Sequence, residues 1–176
     1  MNLEIDNNDI EGSFDRIAKE ILTQKALFVN EKVFRFTEIE FYYYYEGIHN
    51  DDYTHEHRRK TGEWRSHNQG LDITFEGNDI SDGGILIRGV LVNGKYINGP
   101  LLSIRAIFEA FNKVTNITSF VLNDSEKRNV VVIKTFRHLP NKILHEEFHN
   151  RLYRYISDDI PEKTKKLMLN NSSKKL

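Results

Sequence analysis

The spacing of apolar residues changes along the chain between the helical and the extended repeat. In residues 14–24 the apolar positions recur three and four residues apart, which predicts an amphipathic helix with Ser13 as its N-cap. Residues 34–45 are rich in aromatic and β-branched side chains and contain neither Gly nor Pro, which predicts a long strand. Further strands are predicted at residues 26–29, 71–75, 85–92, 95–97, 117–122, 130–134 and 152–156, and a second helix is predicted to begin at Pro100.

The order of these elements indicates one domain that mixes helices and strands. Because the chain contains no internal repeat and no linker, residues 14–160 are expected to form a single α+β domain. Residues 1–13 are acidic and rich in Asn and are predicted to be a flexible arm, while residues 161–176 are predicted to be a polar tail. Asn93-Gly94 between two β-rich segments predicts a hairpin.

Two acids inside the long strand are the first candidates for chemistry. Since side chains two residues apart share one face of a strand, Glu38, Glu40 and Tyr42 are expected to lie together. Carboxylates and an aromatic ring on a rigid element are suited to a reaction site. The alternative is that both acids face water on the exposed side of a half-buried sheet.

Composition narrows the class of protein. The 176 residues carry a net charge of -1, without the basic excess of most nucleic-acid-binding proteins, so such binding would require a local patch. The chain has no cysteine, which excludes disulfides and thiolate metal sites. No segment resembles a membrane span and the N-terminus has no signal-peptide pattern, so we expect a soluble, intracellular protein in the cytoplasm.

Residues 46–69 lack apolar periodicity and are dense in His and charged residues. A long segment of this kind inside a compact domain is often functional. It is either a solvated loop with a basic end or a surface on which basic side chains contact phosphates while a ring stacks on a base. The candidate nucleic-acid-binding residues are Arg58, Arg59, Lys60, Trp64 and Arg65.

A second motif, at residues 145–149, matches the H-E-x-x-H pattern of zinc hydrolases. On a helix His145 and His149 would share a face, and Glu146 would serve as the general base. No further His follows, so a zinc ion would need an acidic ligand from the residues beyond the motif. The alternative is a polar segment between two strands, and we predict no metal site.

Several segments, in the same order along the chain, resemble those of the alkyladenine (3-methyladenine, methylpurine) DNA glycosylase family. Arg-Phe-Thr-Glu-Ile-Glu-Phe-Tyr at residues 35–42 is similar to that family's R-I-x-E-T-E-A-Y strand, and Gly-Ile-Leu-Ile-Arg at residues 84–88 is similar to its G-x-V-L-L-R-A strand. The resemblance covers residues 14–157. Further matching segments are residues 17–22, Thr54-His55, residues 98–102, residues 135–139 and residues 152–156.

The resemblance implies an antiparallel, barrel-like β-sheet flanked by helices, as in methylpurine-DNA glycosylases and formyltransferase C-terminal domains. It implies that Glu40 activates water beside Arg88, and that Tyr42 and His55 hold a flipped base. It also places Asp72 where the family has an Asn that screens purines. The implied function is base excision repair: a monomer without cofactors that binds double-stranded DNA and releases an alkylated or deaminated purine.

The chain departs from the family in the segment before Asp72. Residues 62–70 are shorter than the family's segment and lack Tyr, so the second stacking ring would have to be Trp64 or His67. Three functions are therefore considered. They are a glycosylase of the alkylpurine type, a non-catalytic nucleic-acid or nucleotide-binding module on the same fold, and a zinc hydrolase.

Overall fold

A computed structural model describes residues 1–139 and 146–173. The strands form an antiparallel sheet of ten strands that curls into half a barrel and is accompanied by few helices, so the described chain is a single α+β domain, as predicted. The elements are, in chain order, α1 (Ile10–Gln24), β1 (Lys25–Val29), β2 (Lys32–Tyr45), β3 (His49–Asn50), β4 (Trp64–His67), β5 (Gly70–Thr74), β6 (Ser81–Val92), β7 (Lys95–Asn98), α2 (Pro100–Phe108), β8 (Phe120–Asp124), β9 (Val132–Thr135), α3 (Glu146–His149), β10 (Arg154–Ser157) and α4 (Glu162–Ser173).

Two long strands, β2 and β6, form the centre of the sheet. They pair along most of their length, from Arg35 opposite Leu91 to Tyr45 opposite Ser81. Strands β5 and β7 extend the sheet beyond β6, while β1, β10 and β3 pair with successive parts of β2. The strand predicted at residues 34–45 is therefore confirmed, and most of the sheet is built around it.

A β-bulge interrupts the pairing of β2 with β6 next to the two acids. The register shifts on either side of Glu38, so that neither Thr37 nor Arg88 has a partner opposite it. The strands approach closely here, because a Cβ added to Gly89 would lie 2.7 Å from Thr37 Oγ1 and 3.0 Å from Glu38 Cβ. A bulge of this kind redirects side chains, and here it leaves Arg88 beside Glu38 and Glu40.

Helix α1 covers the face of the sheet opposite the two acids. Phe14 stacks on Phe41 of β2, with 4.5 Å between the ring centroids. The alternation of β2 directs Phe41 towards α1 and its neighbours Glu40 and Tyr42 away from it. The remaining apolar residues of the predicted helix face are also fully buried: Ile17, Ala18, Ile21 and Leu22.

Several element boundaries differ from the prediction by a few residues, and the start of α1 is one of them. Helix α1 begins at Ile10 because Asp9, rather than Ser13, caps it by accepting a hydrogen bond of 3.0 Å from the backbone N–H of Gly12. Part of the predicted arm therefore forms the first helical turn. The unpatterned residues 46–69 contain β3 and β4, which are too short to show a periodicity.

The polar tail contains helix α4. Its Met168 is buried in a small cluster with Ile156 and Ile160, so this helix contacts the domain. Within residues 1–139 and 146–173, no helix is long and apolar enough to cross a membrane.

Candidate active site

Two buried acids and two arginines form a charged network on the face of the sheet opposite α1. Glu38 and Glu40 have no exposed surface, so the alternative that they face water is wrong. Arg88 is shared between them: its Nε lies 2.8 Å from Glu38 Oε1 and its Nη1 lies 3.3 Å from Glu40 Oε2. Strand β10 adds Arg154, whose Nη2 lies 2.7 Å from Glu38 Oε1. Arg88 was predicted to lie beside Glu40, whereas the role of Arg154 was not predicted.

The carboxylate of Glu40 is surrounded by donors. Its Oε2 accepts hydrogen bonds from the Tyr42 hydroxyl at 2.9 Å and from Arg88, and its Oε1 accepts one of 2.6 Å from the backbone N–H of His138. Burial alone raises the pKa of Glu40, but Arg88, Arg154 and these hydrogen bonds outweigh it and hold the pKa below its ordinary value of 4.5. Glu40 is therefore ionised at neutral pH and able to accept a proton.

A cleft of about 500 Å³ opens beside this network. Tyr42, Arg88 and His138 line the cleft and also contact Glu40, which is itself enclosed beneath them. These three residues therefore connect the acid with the cleft. Asp52 adds one acidic side chain to the lining of the cleft. The other lining residues are aromatic, amide or apolar: Tyr53, His55, Asn68, Gln69, Leu86, Pro100, Leu101 and Leu139.

A smaller pocket of about 20 Å³ contains Asp72 and shares Tyr42 and His55 with the cleft. Leu86 of β6 pairs with Glu40 on one side and with Asp72 on the other, so the two acids lie in one row across three strands. Two strand spacings put their Cα atoms about 10 Å apart. Of the five residues to which the resemblance gave catalytic or base-binding roles, Tyr42, His55, Asp72 and Arg88 thus line this concave region, and Glu40 lies enclosed beneath it.

The predicted nucleic-acid-binding residues differ from one another in exposure and in the direction of their side chains. Arg58, Arg59 and Lys60 are exposed, as a phosphate-binding surface requires. Two of them have acidic neighbours: Arg58 pairs with Asp79 at 3.2 Å, and Arg59 lies 3.9 Å from Glu63. Such exposed pairs are weak and exchange readily for other partners.

The remaining two predicted nucleic-acid-binding residues belong to β4 and point in different directions. Arg65 turns inward and its Nη1 lies 3.4 Å from Asp72 Oδ2, in the small pocket. Trp64 is half-buried and packs edge-on against Phe120, with 5.1 Å between ring centroids, so it is part of the core packing rather than of the cleft. Of the two rings considered as a second stacking partner, His67 lines the small pocket and Trp64 does not.

A buried ion pair behind the cleft was not predicted. Arg137 Nη1 and Asp51 Oδ2 are 2.6 Å apart, and neither side chain has exposed surface. The guanidinium carbon of Arg137 also lies 4.8 Å from the ring centroid of Tyr42 and 5.4 Å from that of Tyr53. Arg137 therefore supports two aromatic rings of the cleft from behind. The two charges are 86 residues apart, and no local pattern connects them.

The H-E-x-x-H motif falls partly outside the described residues, because His145 is not among them. Helix α3 covers only Glu146–His149. His149 is buried, with its Nδ1 2.7 Å from the hydroxyl of Tyr53. No group of three or more His, Asp or Glu that could hold a metal ion occurs within the described parts of the chain.

We compared the chain with family models, with curated proteins and with solved structures, and no match was found in any of the three comparisons. The function is therefore inferred from the residues of the cleft and the network beneath it.

Proposed function

We propose that the protein is a DNA-base glycosylase, which hydrolyses the N-glycosidic bond of an alkylated or deaminated purine. The observation that supports this proposal is that an ionised acid, Glu40, is held by three residues that also line a cleft. A base inside a duplex cannot be attacked, so the nucleotide must be turned out into such a cleft. At about 500 Å³ the cleft is within the size range of small-molecule sites. We propose that the protein acts as a monomer on double-stranded DNA.

Aromatic side chains of the cleft would hold the flipped base. Tyr42, Tyr53 and His55 line it, and stacking on such rings is worth about 1–3 kcal/mol per base. Arg137 lies against both tyrosine rings, which limits their movement before a base arrives. The stacking surface is therefore organised in advance.

The chemistry requires one water molecule and one proton acceptor. The water oxygen bonds to the anomeric carbon of the sugar, the bond between that carbon and the base nitrogen breaks, and its electron pair leaves with the base. The proton lost by the water ends on Glu40, in a role related to that of the carboxylate base in glycosidases. These steps need no metal and no cofactor.

The enclosure of Glu40 determines the route of the proton. Of the three groups between its carboxylate and the cleft, the Arg88 guanidinium and the His138 N–H can only donate. The Tyr42 hydroxyl can also accept, so water passes its proton to the Tyr42 oxygen as the Tyr42 proton moves to Glu40 Oε2. Burial and the nearby Glu40 charge raise the pKa of Tyr42, so its hydroxyl starts protonated.

The test is release of free base from duplex oligonucleotides that each contain one 3-methyladenine, 7-methylguanine or hypoxanthine. Glu40→Gln preserves the shape of the side chain and removes its charge, and we expect its release rate to fall about 100-fold or more. Glu31→Gln, at an exposed turn, is the matched control. Wild-type release by Glu40→Gln would contradict the mechanism. A wild-type protein that releases none of the three bases would contradict the glycosylase proposal.

The second candidate is a non-catalytic module that binds a nucleotide or nucleic acid in the same cleft. The observation in its favour is that Glu40 has no exposed surface, since a binding site does not need water to reach the acid. This candidate predicts duplex binding without base release. That binding would weaken steeply with salt and on replacement of Arg58, Arg59 and Lys60.

A further inference from the structure

The small pocket beside the cleft contains a carboxylate with an unused oxygen. Asp72 is only 8% exposed. Its Oδ2 lies 3.4 Å from Arg65 Nη1 and 2.9 Å from His67 Nε2, although His67 is not aligned for a hydrogen bond. Its Oδ1 is enclosed and has no hydrogen-bond partner within the described chain. A buried polar atom left unpaired in this way calls for an explanation, and a missing ligand is one.

The same pocket contains a second unused polar atom. Thr54 lines the pocket with Asp72, and its Oγ1 is likewise enclosed without a partner among the described residues. The pocket therefore offers one atom that only accepts hydrogen bonds, Asp72 Oδ1, and one that accepts and donates. Two unpaired oxygen atoms in one small pocket indicate a place for a polar substituent.

The surroundings fix which of the two Asp72 oxygens is available. The backbone N–H of Gln69 donates to His67 Nδ1 at 3.2 Å, so the neutral imidazole carries its proton on Nε2, which faces Asp72 Oδ2. Arg65 presents a second donor to the same oxygen. Both N–H groups therefore lie on the Oδ2 side, although only that of Arg65 is aligned to donate, and Oδ1 remains as an acceptor for another molecule.

The volume of the pocket limits what can enter it. About 20 Å³ is slightly more than the roughly 10–15 Å³ that one water molecule needs, and it is too little for a purine ring. The ring system would remain in the 500 Å³ cleft, between the aromatic side chains. Only one exocyclic substituent, an amino or an oxo group, would reach the small pocket.

We propose that this pocket selects bases with an exocyclic amino group, so that alkylated adenines are preferred to hypoxanthine, the deaminated form of adenine. The amino group of 3-methyladenine donates to Asp72 Oδ1, whereas the carbonyl oxygen of hypoxanthine would face that oxygen as a second acceptor. A site built around a hydrogen bond strongly rejects a molecule that cannot make it. This selectivity rests on the proposed glycosylase function and narrows its substrate class.

The test compares two duplexes that differ only in carrying 3-methyladenine or hypoxanthine, with each release rate divided by the spontaneous loss of that base. We expect the wild-type acceleration to be at least about 100-fold larger for 3-methyladenine. Asp72→Asn should abolish most or all of the preference, because its amide oxygen would face Arg65 and His67 and its NH₂ group would face the pocket. The acceleration should fall about tenfold for 3-methyladenine and rise about tenfold for hypoxanthine, as expected for one hydrogen bond lost or gained.

Two further variants make the outcome decisive. Thr54→Val removes the other unpaired atom and should lower 3-methyladenine release several-fold, and Glu31→Gln should behave as wild type. Equal wild-type acceleration of both bases, with a ratio unchanged in Asp72→Asn, would overturn the selectivity and leave the glycosylase standing. Release of neither base by the wild-type protein would instead overturn the proposed function.

Discussion

Arg137 and Asp51 form an ion pair in which neither side chain has exposed surface. Arg137 also donates hydrogen bonds to the backbone carbonyls of Phe41, at 3.2 Å, and Phe148, at 3.0 Å. One guanidinium thus joins β2, the segment after β3 and the end of α3. Because that segment carries Tyr53 and His55 to the cleft, the pair holds the aromatic wall of the site in place.

We predict that Asp51→Asn strongly destabilises the fold, because it leaves the Arg137 charge buried without a counter-charge. Breaking a buried pair in this way costs about 3–5 kcal/mol, to be measured by urea unfolding. Asp79→Asn is the control, since Asp79 pairs with Arg58 at the surface and its loss should cost less than about 1 kcal/mol. Equal losses in the two variants would show that the buried pair has no special role.

Tyr42→Phe separates stacking from proton transfer. The variant keeps the ring that lines the cleft and removes the hydroxyl that donates to Glu40. We expect base release to fall about 100-fold, as for loss of a proton-transfer group. Affinity for a duplex with a non-hydrolysable analogue, measured by fluorescence anisotropy, should stay close to that of the wild type. Normal release by Tyr42→Phe would exclude the proton route through the hydroxyl.

Acid should destabilise the protein through Glu40. Its pKa is lower in the folded chain than its ordinary value of 4.5, so its contribution to stability is fully present above that value. The contribution is lost as the pH falls below 4.5 and through the folded pKa. Urea unfolding over a pH series should therefore show a smaller acid-induced loss in Glu40→Gln than in the wild type. Parallel pH profiles for the two proteins would contradict the assignment.

Gly89→Ala should disturb the bulge and the site together. Its new Cβ would lie 2.7 Å from Thr37 Oγ1 and 3.0 Å from Glu38 Cβ, so these side chains or the backbone that carries them must move, at a cost of about 1–3 kcal/mol. The adjacent Arg88 would move as well, which should lower base release beyond the effect on stability. Adding Thr37→Ala removes the nearest clashing atom and should recover part of both losses. No recovery in the double variant would mean that the hydroxyl is not the obstacle.

The parts of the fold that the sequence predicted are those determined by neighbouring residues. The alternation in β2 predicted correctly that Glu38, Glu40 and Tyr42 share a face, and that face carries the site. The Asn93-Gly94 hairpin is confirmed, with φ of 49° and 71° at its two turn residues, as a type I′ turn requires. Each of these features is determined by residues that lie close together in the sequence.

The features that could not be predicted from the sequence depend on contacts between distant segments of the chain. Arg154 reaches Glu38 because β10 pairs with β2, and Arg137 reaches Asp51 across 86 residues. Trp64 was assigned to stacking on a base because it stands in a polar segment, whereas pairing of β4 with β5 places it against Phe120. Sequence spacing gives no information about such partners.

The bulge in β2 also reverses the parity of the strand. Phe36 before it and both Ile39 and Phe41 after it belong to the same apolar core, although even and odd positions of an uninterrupted strand point to opposite sides. Deleting Thr37 would restore an uninterrupted alternation in β2, but it would shift the residues on one side of the deletion by one position against β6, which keeps its own extra residue, Arg88. A change of length at this position should therefore weaken the pairing of β2 with β6 and displace Arg88 from Glu38 and Glu40 at the same time.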